Sequence, residues 1–226
     1  LPDWMVESYM SIRTHSYDTN LIAQDKFPVI LFSHGMSAIP EFYTHLCENL
    51  ASHGFIVVAP YHTDGSCLHV RYTIDHTNYY VEFERPVAVT FENEEVAMEE
   101  FLIRNRQYLQ RVQNMNFLIQ KIEQMASMQR SAMFNNNTQS NMPLSPSVLC
   151  GHIDLQTSGI ATLGHSFGGA TSLAMCCRNS KIKCGMSLDG WFFGLDHRVP
   201  KLKTPFFFVN SEHWQFSKNL EIMTRF

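Results

Sequence analysis

Short apolar runs alternate with stretches of helical periodicity in the first part of the chain. The runs FPVILF (27–32) and FIVVAP (55–60) predict two buried strands. Between them, residues 40–54 carry apolar side chains at helical spacing, with a proline at the start and Gly54 at the end. A strand, a helix and a strand joined by short connections predict a parallel βαβ unit.

This alternation lapses in the middle of the chain. Residues 61–91 are polar and aromatic without a clear period, and residues 131–147 form a loop rich in Ser, Asn and Pro. The stretch from about 92 to 130 has the pattern of one long helix, and its acidic residues cluster at the N-terminal end, as the helix dipole favours. We therefore expect a helical insertion over about residues 61–150.

The alternation returns after the insertion and continues to the end of the chain. Strands are predicted at 159–164, 183–188 and 205–210, and helices over about 167–179 and from 217 to 226. The whole pattern predicts an α/β fold with a mostly parallel central sheet and flanking helices, in a single domain over residues 1–226.

Composition narrows the class of protein. The chain has 226 residues, 45% of them hydrophobic, and a net charge of −4. The sequence has no block of like charges that would indicate nucleic-acid binding. No run of 18 apolar residues predicts a transmembrane helix. The six cysteines include no C-x-x-C pair, which indicates that they are mostly buried or half-buried thiols and form neither a zinc site nor a disulfide framework. A lone N-x-T sequon at Asn136 does little to indicate secretion, so the compartment stays open.

Both ends of the sequence suggest that the chain is part of a longer one. The first residue is leucine, and LPDW does not resemble a signal peptide. The last residues, EIMTRF, stop just after an apolar periodic stretch without a capping residue. We expect a further strand and helix after Phe226.

The pentapeptide GHSFG (164–168) follows a predicted strand and opens a predicted helix, the context in which G-x-S-x-G carries a nucleophilic serine. Ser166 is expected at a sharp, strained turn with its hydroxyl above the sheet. Glycine is expected at 164 and 168 because side chains at these positions would collide across the turn. The alternative is a chance Gly/Ser turn in a sheet protein.

An oxyanion hole needs two backbone N–H donors. Phe167, the residue after the serine, is expected to supply one of them. The segment FSHGM (32–36) ends the first strand and makes the N–H of Met36 the candidate for the second. A strand-ending turn without a catalytic role is the alternative for this segment.

An acid is predicted at the same edge of the sheet. Asp189 lies 23 residues after Ser166, a gap that holds one helix and one strand, so it falls at the carboxyl end of the neighbouring strand. A carboxylate there can hold a histidine Nδ1–H and stabilise the imidazolium. The alternatives are a turn-forming role of Asp189 and Glu212 as the acid.

The histidine of such a site follows the acid in the chain and lies after one further strand. His197 precedes the last predicted strand, and His213 ends it, one strand too early for the base. His165 adjoins the nucleophile with its side chain expected to point away. We therefore expect the histidine beyond Phe226, and the 226-residue chain alone to be inactive.

The stretches that carry these features resemble the platelet-activating factor acetylhydrolase family, plasma and intracellular type II. They are PVILFSHG, LASHGFIVVA, IRNRQYLQRV, GHSFGGAT, SLDGWFF and PFFFVNSEHWQF. The resemblance covers most of residues 27–226 and is weaker over 61–95 and 130–150. It implies an α/β-hydrolase fold, Ser166 as nucleophile, Asp189 as acid, and Met36 and Phe167 as oxyanion donors.

The resemblance also implies a phospholipid substrate. The activity would be calcium-independent, phospholipase A2-type removal of short or oxidised sn-2 acyl groups, without a cofactor or metal, possibly at a membrane or lipoprotein surface. Aromatic residues at 72, 79, 80 and 83 could contact a lipid interface or serve packing. Two other functions stay open: a general carboxylesterase on the same fold, and a lipid-binding module without activity if no histidine follows Phe226.

Overall fold

A parallel sheet of five strands forms the centre of the computed structural model, which describes residues 26–74, 77–85, 94–127, 149 and 151–226. The strands of this sheet, in chain order, are β1 (Val29–Ser33), β2 (Ile56–Val58), β5 (Ile160–His165), β6 (Ile182–Leu188) and β7 (Phe206–Val209). Their order across the sheet is β2-β1-β5-β6-β7, and all neighbours run parallel. The predicted mostly parallel sheet is confirmed.

Four α-helices accompany the strands in the part of the chain that the structure describes. They are α1 (Thr44–Ser52), α2 (Glu94–Ser127), α3 (Phe167–Arg178) and α4 (Ser217–Met223), with short 3-10 helices at Pro40–Tyr43 and Glu212–Trp214. Each predicted helix is present, and the first turn of the helix predicted from residue 40 is a 3-10 turn. The predicted loop at 131–147, with Asn136, lies outside the described residues, as do Cys150 and residues 1–25.

A hairpin of β3 (Val70–Ile74) and β4 (Thr77–Val81) lies within the stretch for which the sequence shows no period. Residues 77–80 of β4 are all exposed, so no alternation of buried and exposed positions marks this strand. Val70, at the base of the hairpin, is buried and packs with Ile39 and Cys67. An apolar-polar pattern could not predict this hairpin because four of the five residues of β4 are exposed.

Helices cover both faces of the sheet, as a parallel sheet requires. Along β1, Val29 and Leu31 belong to the larger core cluster, whereas Ile30 and Phe32 belong to the cluster that also contains residues of α1. The larger cluster contains side chains of α2 and α3.

The long helix α2 contributes to the central core. A stripe of buried side chains at helical spacing runs along it: Tyr108, Val112, Met115, Ile119 and Ile122. These side chains share one cluster with residues of β1, β5 and α3. The insertion therefore supplies part of the main core and is not an appendage to it.

Within the described residues, no helix is long and apolar enough to span a bilayer. That the chain is one domain, incomplete at its C-terminal end, stays a prediction.

Candidate active site

Ser166 occupies the turn between β5 and α3, with φ 53° and ψ −121°. A positive φ is uncommon for a residue with a side chain and stores strain. Three backbone hydrogen bonds hold this conformation. The Ser166 N–H donates to Leu188 O at 2.9 Å, and Ser166 O accepts from the N–H groups of Gly169 and Trp191, each at 2.9 Å. The serine therefore lies where the motif predicts it, at a strained strand-to-helix turn.

The two glycines of the motif are required by close backbone approaches. A Cβ on Gly164 would lie 2.0 Å from Gly168 O, so the predicted collision across the turn is present at this position. A Cβ on Gly168 would instead lie 1.9 Å from Ser33 O. The collision expected across the turn is therefore wrong for Gly168, because the first turn of α3 lies against the end of β1.

The N–H groups of Phe167 and Met36 have no hydrogen-bond acceptor among the described residues. Phe167 is the first residue of α3, where backbone N–H groups lack an intrahelical partner and the helix dipole favours negative charge. The segment that carries Met36 adjoins the serine. Ser33 pairs with Gly164 in the sheet, and a Cβ on Gly35 would lie 3.4 Å from Ser166 Cβ.

Beneath this segment lies a group of buried side chains that we call the buried polar cluster: Ser33, His34, His62, Asp64, Ser66 and Arg111. Arg111 Nε donates to Asp64 at 3.0 Å, and both side chains are 0% exposed. Arg111 Nη1 donates to His34 O at 2.6 Å, and Arg111 Nη2 donates to Ser66 Oγ at 2.5 Å. The guanidinium also lies 4.7 Å from the centroid of the Phe167 ring. One residue of α2 thus contacts both segments that carry a free N–H.

Both histidines of the buried polar cluster are neutral at physiological pH. Burial is the main cause that lowers the pKa of His34 to about 3, and the positive charge of Arg111 lowers it further. The hydrogen bond with Gly35 and the charge of Asp64 act in the opposite direction. Burial also lowers the pKa of His62 well below its usual value, followed by the charges of Arg111 and His34.

Asp189 follows β6 directly, with φ 47°. Its N–H donates to Val209 O at 2.8 Å, and its carboxylate accepts from Ser211 N at 2.5 Å and from Ser211 Oγ at 3.0 Å. Since Ser166 N–H is bonded to the residue before Asp189, the acid and the serine lie at the same edge of the sheet. The rival acid Glu212 is exposed in the following 3-10 turn.

No described histidine forms a hydrogen bond with Ser166 Oγ. His165 Nδ1 lies 2.8 Å from Tyr43 Oη, and that its side chain points away from the serine hydroxyl stays a prediction. Burial lowers the pKa of His165, and the charge of Asp189 raises it by a smaller amount. His197 and His213 are exposed. That the base lies beyond Phe226 stays a prediction.

Sequence reasoning missed the buried polar cluster, although α2 carries a sign of it. Arg111 follows Tyr108 by three residues and precedes Met115 by four, so it lies on the buried stripe of the helix. A charged residue on a buried stripe indicates a buried partner. The partner itself, Asp64, lies 47 residues away and could not be read from the sequence.

No group of three His, Cys, Asp or Glu side chains suited to a metal ion occurs in the part of the chain that the structure describes. The five cysteines in that part are free thiols.

Comparison with known proteins identifies the family. The chain matches the family model of platelet-activating factor acetylhydrolase, isoform II, over residues 5–226. It is 31% identical over 224 residues to the platelet-activating factor acetylhydrolase of Bos taurus, covering 96% of this chain and 48% of the bovine protein. It is 29% identical over 203 residues to the Gallus gallus protein of the same name, covering 87% of this chain and 46% of that protein. The chain thus spans about half the length of these curated relatives.

A solved structure supports the fold. The ferulic acid esterase from Streptomyces cinnamoneus superposes with a TM-score of 0.58 at 18% identity, over 90% of this chain and 48% of that one. The α/β-hydrolase fold implied by the resemblance is confirmed. With the family model matched over residues 5–226, the chain belongs to the platelet-activating factor acetylhydrolase isoform II family.

Proposed function

We propose that the protein is a serine hydrolase that removes short acyl groups from the sn-2 position of phospholipids, with Ser166 as the nucleophile. The observation that carries the proposal is the position of Ser166. It lies at a strained strand-to-helix turn, next to two segments whose N–H groups, at Phe167 and Met36, have no acceptor among the described residues. Strain and free donors are features that acyl-transfer enzymes maintain at their reaction centre.

In the proposed reaction, Ser166 Oγ attacks the sn-2 carbonyl carbon and its proton passes to a histidine. The negative charge that develops on the carbonyl oxygen accepts hydrogen bonds from the Phe167 and Met36 N–H groups. When the tetrahedral intermediate collapses, the histidine returns the proton to the leaving lysophospholipid oxygen. A water molecule then attacks the acyl-serine, and the acid is released.

We assign Asp189 the role of orienting that histidine, which we place beyond Phe226. The hydrogen bonds from Ser211 hold the carboxylate of Asp189 at the edge of the sheet next to the serine. A carboxylate in this position selects the imidazole tautomer that can accept the proton of the serine.

The substrate class is inferred from the relatives, which are named for the acetyl hydrolysis of platelet-activating factor. The hairpin of β3 and β4 offers a surface for contact with a membrane or a lipoprotein. Its Tyr72 and Tyr79 rings stack with centroids 5.4 Å apart, and Tyr80 is 58% exposed. Tyrosine suits the boundary between lipid and water because its ring is apolar and its hydroxyl is polar. No specific observation favours a carboxylesterase for simple esters or an inactive lipid-binding module.

The test uses the full-length protein that contains this chain. We expect hydrolysis of a phospholipid with an sn-2 acetyl group to exceed that of a simple acetate ester in kcat/KM. Ser166→Ala should lower kcat by about 10⁶-fold, because the nucleophile is lost. A fluorophosphonate probe should label Ser166, as detected by peptide mass spectrometry. Ser180→Ala, at an exposed serine outside the site, serves as the matched control. Activity that survives in Ser166→Ala would contradict the proposal.

A further inference from the structure

We propose that His34 and Arg111 are positioning residues that fix the direction of the Met36 N–H. The proposal rests on the proposed function, in which that N–H holds the oxyanion. It concerns two consecutive peptide units, 34–35 and 35–36, at the end of β1. A trans peptide unit is planar, and its C=O and N–H point in opposite directions. Holding one end of the unit therefore sets the direction of the other.

The peptide unit 34–35 is held at both ends. Its C=O, on His34, accepts a hydrogen bond of 2.6 Å from Arg111 Nη1. Its N–H, on Gly35, donates to Tyr43 Oη at 3.0 Å. The two partners come from opposite sides of the unit, Arg111 from α2 and Tyr43 from the 3-10 helix before α1. This unit cannot rotate without breaking a buried hydrogen bond.

The peptide unit 35–36 is held at one end and free at the other. Its C=O, on Gly35, lies 2.7 Å from His34 Nδ1. A carbonyl only accepts, so Nδ1 carries the proton and donates it. The N–H of the same unit belongs to Met36 and has no acceptor among the described residues. The imidazole of His34 thus aims the Met36 N–H away from its own ring and leaves it free for a ligand oxygen.

The remaining contacts of His34 agree with this tautomer. With the proton on Nδ1, Nε2 is an acceptor, and the backbone N–H of His62 donates to it at an N···N distance of 3.4 Å. Burial and Arg111 keep the ring neutral, as described above.

Arg111 connects this segment to the other proposed donor. Its guanidinium bonds the C=O of His34 and lies 4.7 Å from the centroid of the Phe167 ring. The ion pair with Asp64 and the hydrogen bonds to Ser66 hold the guanidinium itself. A buried ion pair is weak evidence for a gain in stability, because desolvation offsets the attraction between the charges. A positioning role explains why a charge is placed here.

The first experiment compares His34→Leu with His34→Asn in the full-length protein. Leu removes the donor, whereas the amide nitrogen of Asn can occupy about the position of Nδ1. We expect His34→Leu to lower kcat by about 10- to 100-fold, less than or comparable to the loss of a whole oxyanion donor, with KM within about twofold. His34→Asn should recover most of that loss. Active sites are titrated with a fluorophosphonate so that rates are given per intact site.

A second measurement in the same variants separates positioning from folding. A phospholipid analogue with a trifluoromethyl ketone forms a tetrahedral oxyanion with the serine, whereas an sn-2 ether analogue resembles only the ground state. His34→Leu should lower the affinity for the ketone by the same factor as kcat/KM and leave the affinity for the ether unchanged. A purely structural role would lower the fraction of titrated sites, without changing kcat per site or the affinity for the ketone.

The second pair of variants is Arg111→Lys and Arg104→Lys. Both arginines are fully buried on α2, two helical turns apart, but Arg104 bonds Glu100 and Gln107 of its own helix and forms no hydrogen bond with residues 33–36. Lysine keeps the positive charge opposite the carboxylate but lacks the planar guanidinium with its several N–H donors. We expect kcat per site to fall by about 5- to 20-fold for Arg111→Lys and by less than about twofold for Arg104→Lys.

Several outcomes would overturn the proposal. Unchanged kcat and ketone affinity in His34→Leu would do so, as would no recovery in His34→Asn or equal effects of the two lysine variants. If His34→Leu does not fold, Tyr43→Phe decides, because it keeps the ring and removes the hydroxyl that accepts the Gly35 N–H and also contacts His165 Nδ1. Its matched control is Tyr108→Phe, and equal kcat in these two variants would overturn the proposal. Survival of activity in Ser166→Ala would instead overturn the proposed function.

Discussion

The two N–H groups proposed to hold the oxyanion are positioned by different means. The Phe167 N–H is placed by a local turn, in which glycines at 164 and 168 allow close backbone approaches around a strained Ser166. The Met36 N–H is placed by side chains, one from the neighbouring His34 and one from Arg111, which is 77 residues from His34 in the chain. One donor therefore depends on the absence of side chains and the other on their presence.

This difference predicts how each side of the site responds to change. The close backbone approaches at the two glycines leave no room for an added methyl group, because the backbone atoms on neither side can move away. A network of side chains offers several contacts, so it weakens in steps and responds to pH through its histidines.

The largest effect is expected from Gly168→Ala. Its Cβ would lie 1.9 Å from Ser33 O, a backbone atom of a central strand, so the turn or the strand must shift. We expect a loss of about 4 kcal/mol or more in the free energy of unfolding, measured by urea denaturation, together with loss of labelling at Ser166.

The control is Gly54→Ala, which tests backbone strain without a clash. Gly54 has φ 88°, but the nearest atom to an added Cβ is 3.8 Å away. A loss of about 1 kcal/mol is expected here. Equal stability of the two alanine variants would show that the close approach at Gly168 is not a requirement.

An intermediate effect on the free energy of unfolding is expected when the pH is lowered, because the buried polar cluster contains two neutral histidines. The pKa of His34 is about 3 in the folded protein and 6.5 ordinarily, so below about pH 6.5 the unfolded chain binds a proton that the folded protein does not. This contribution to stability is complete above about pH 6.5 and is lost as the pH falls toward about 3. Between about pH 6.5 and pH 4.5 the loss due to His34 should be about 2 kcal/mol, with a further loss from His62.

The measurement is the free energy of unfolding as a function of pH, compared with His34→Asn. The variant lacks the titrating ring, so its slope should be smaller by an amount that rises to about 1.4 kcal/mol per pH unit toward about pH 4.5. The titratable and charged groups near the His34 ring, which are Arg111, Asp64 and His62, are present in both proteins. Parallel pH profiles would contradict a buried neutral His34.

The smallest effect is expected from Ser66→Ala. The Ser66 hydroxyl accepts from Arg111 and donates to Asp64, but Arg111 keeps its bonds to Asp64 and to His34 O. We expect a loss of about 1–2 kcal/mol in stability and a change in kcat below about threefold. A decrease in kcat larger than that of Arg111→Lys would mean that the hydroxyl, not the guanidinium, holds the segment.

The prediction of the sheet from sequence succeeded where a strand is buried and its residues form an apolar run. All five residues of β1 are buried, and in the sequence they are four apolar residues followed by Ser33. The hairpin of β3 and β4 was missed because its exposed residues form no such run. Similarly, α2 was predicted as a helix, but its place in the main core was not, since a periodic stripe does not show which element covers it.

The amino-acid sequence by itself determined the family, the order of strands and helices, and the turn that carries Ser166 and Phe167. These features depend on neighbouring residues: a serine between glycines, after an apolar run and before a helix. Only the tertiary structure decided how the Met36 N–H is held, because Arg111 lies 77 residues from His34 in the chain and reaches this segment through packing. A side chain such as Arg111 shows in the sequence only as a charge on an apolar stripe, and its partners are set by which helix covers which face of the sheet.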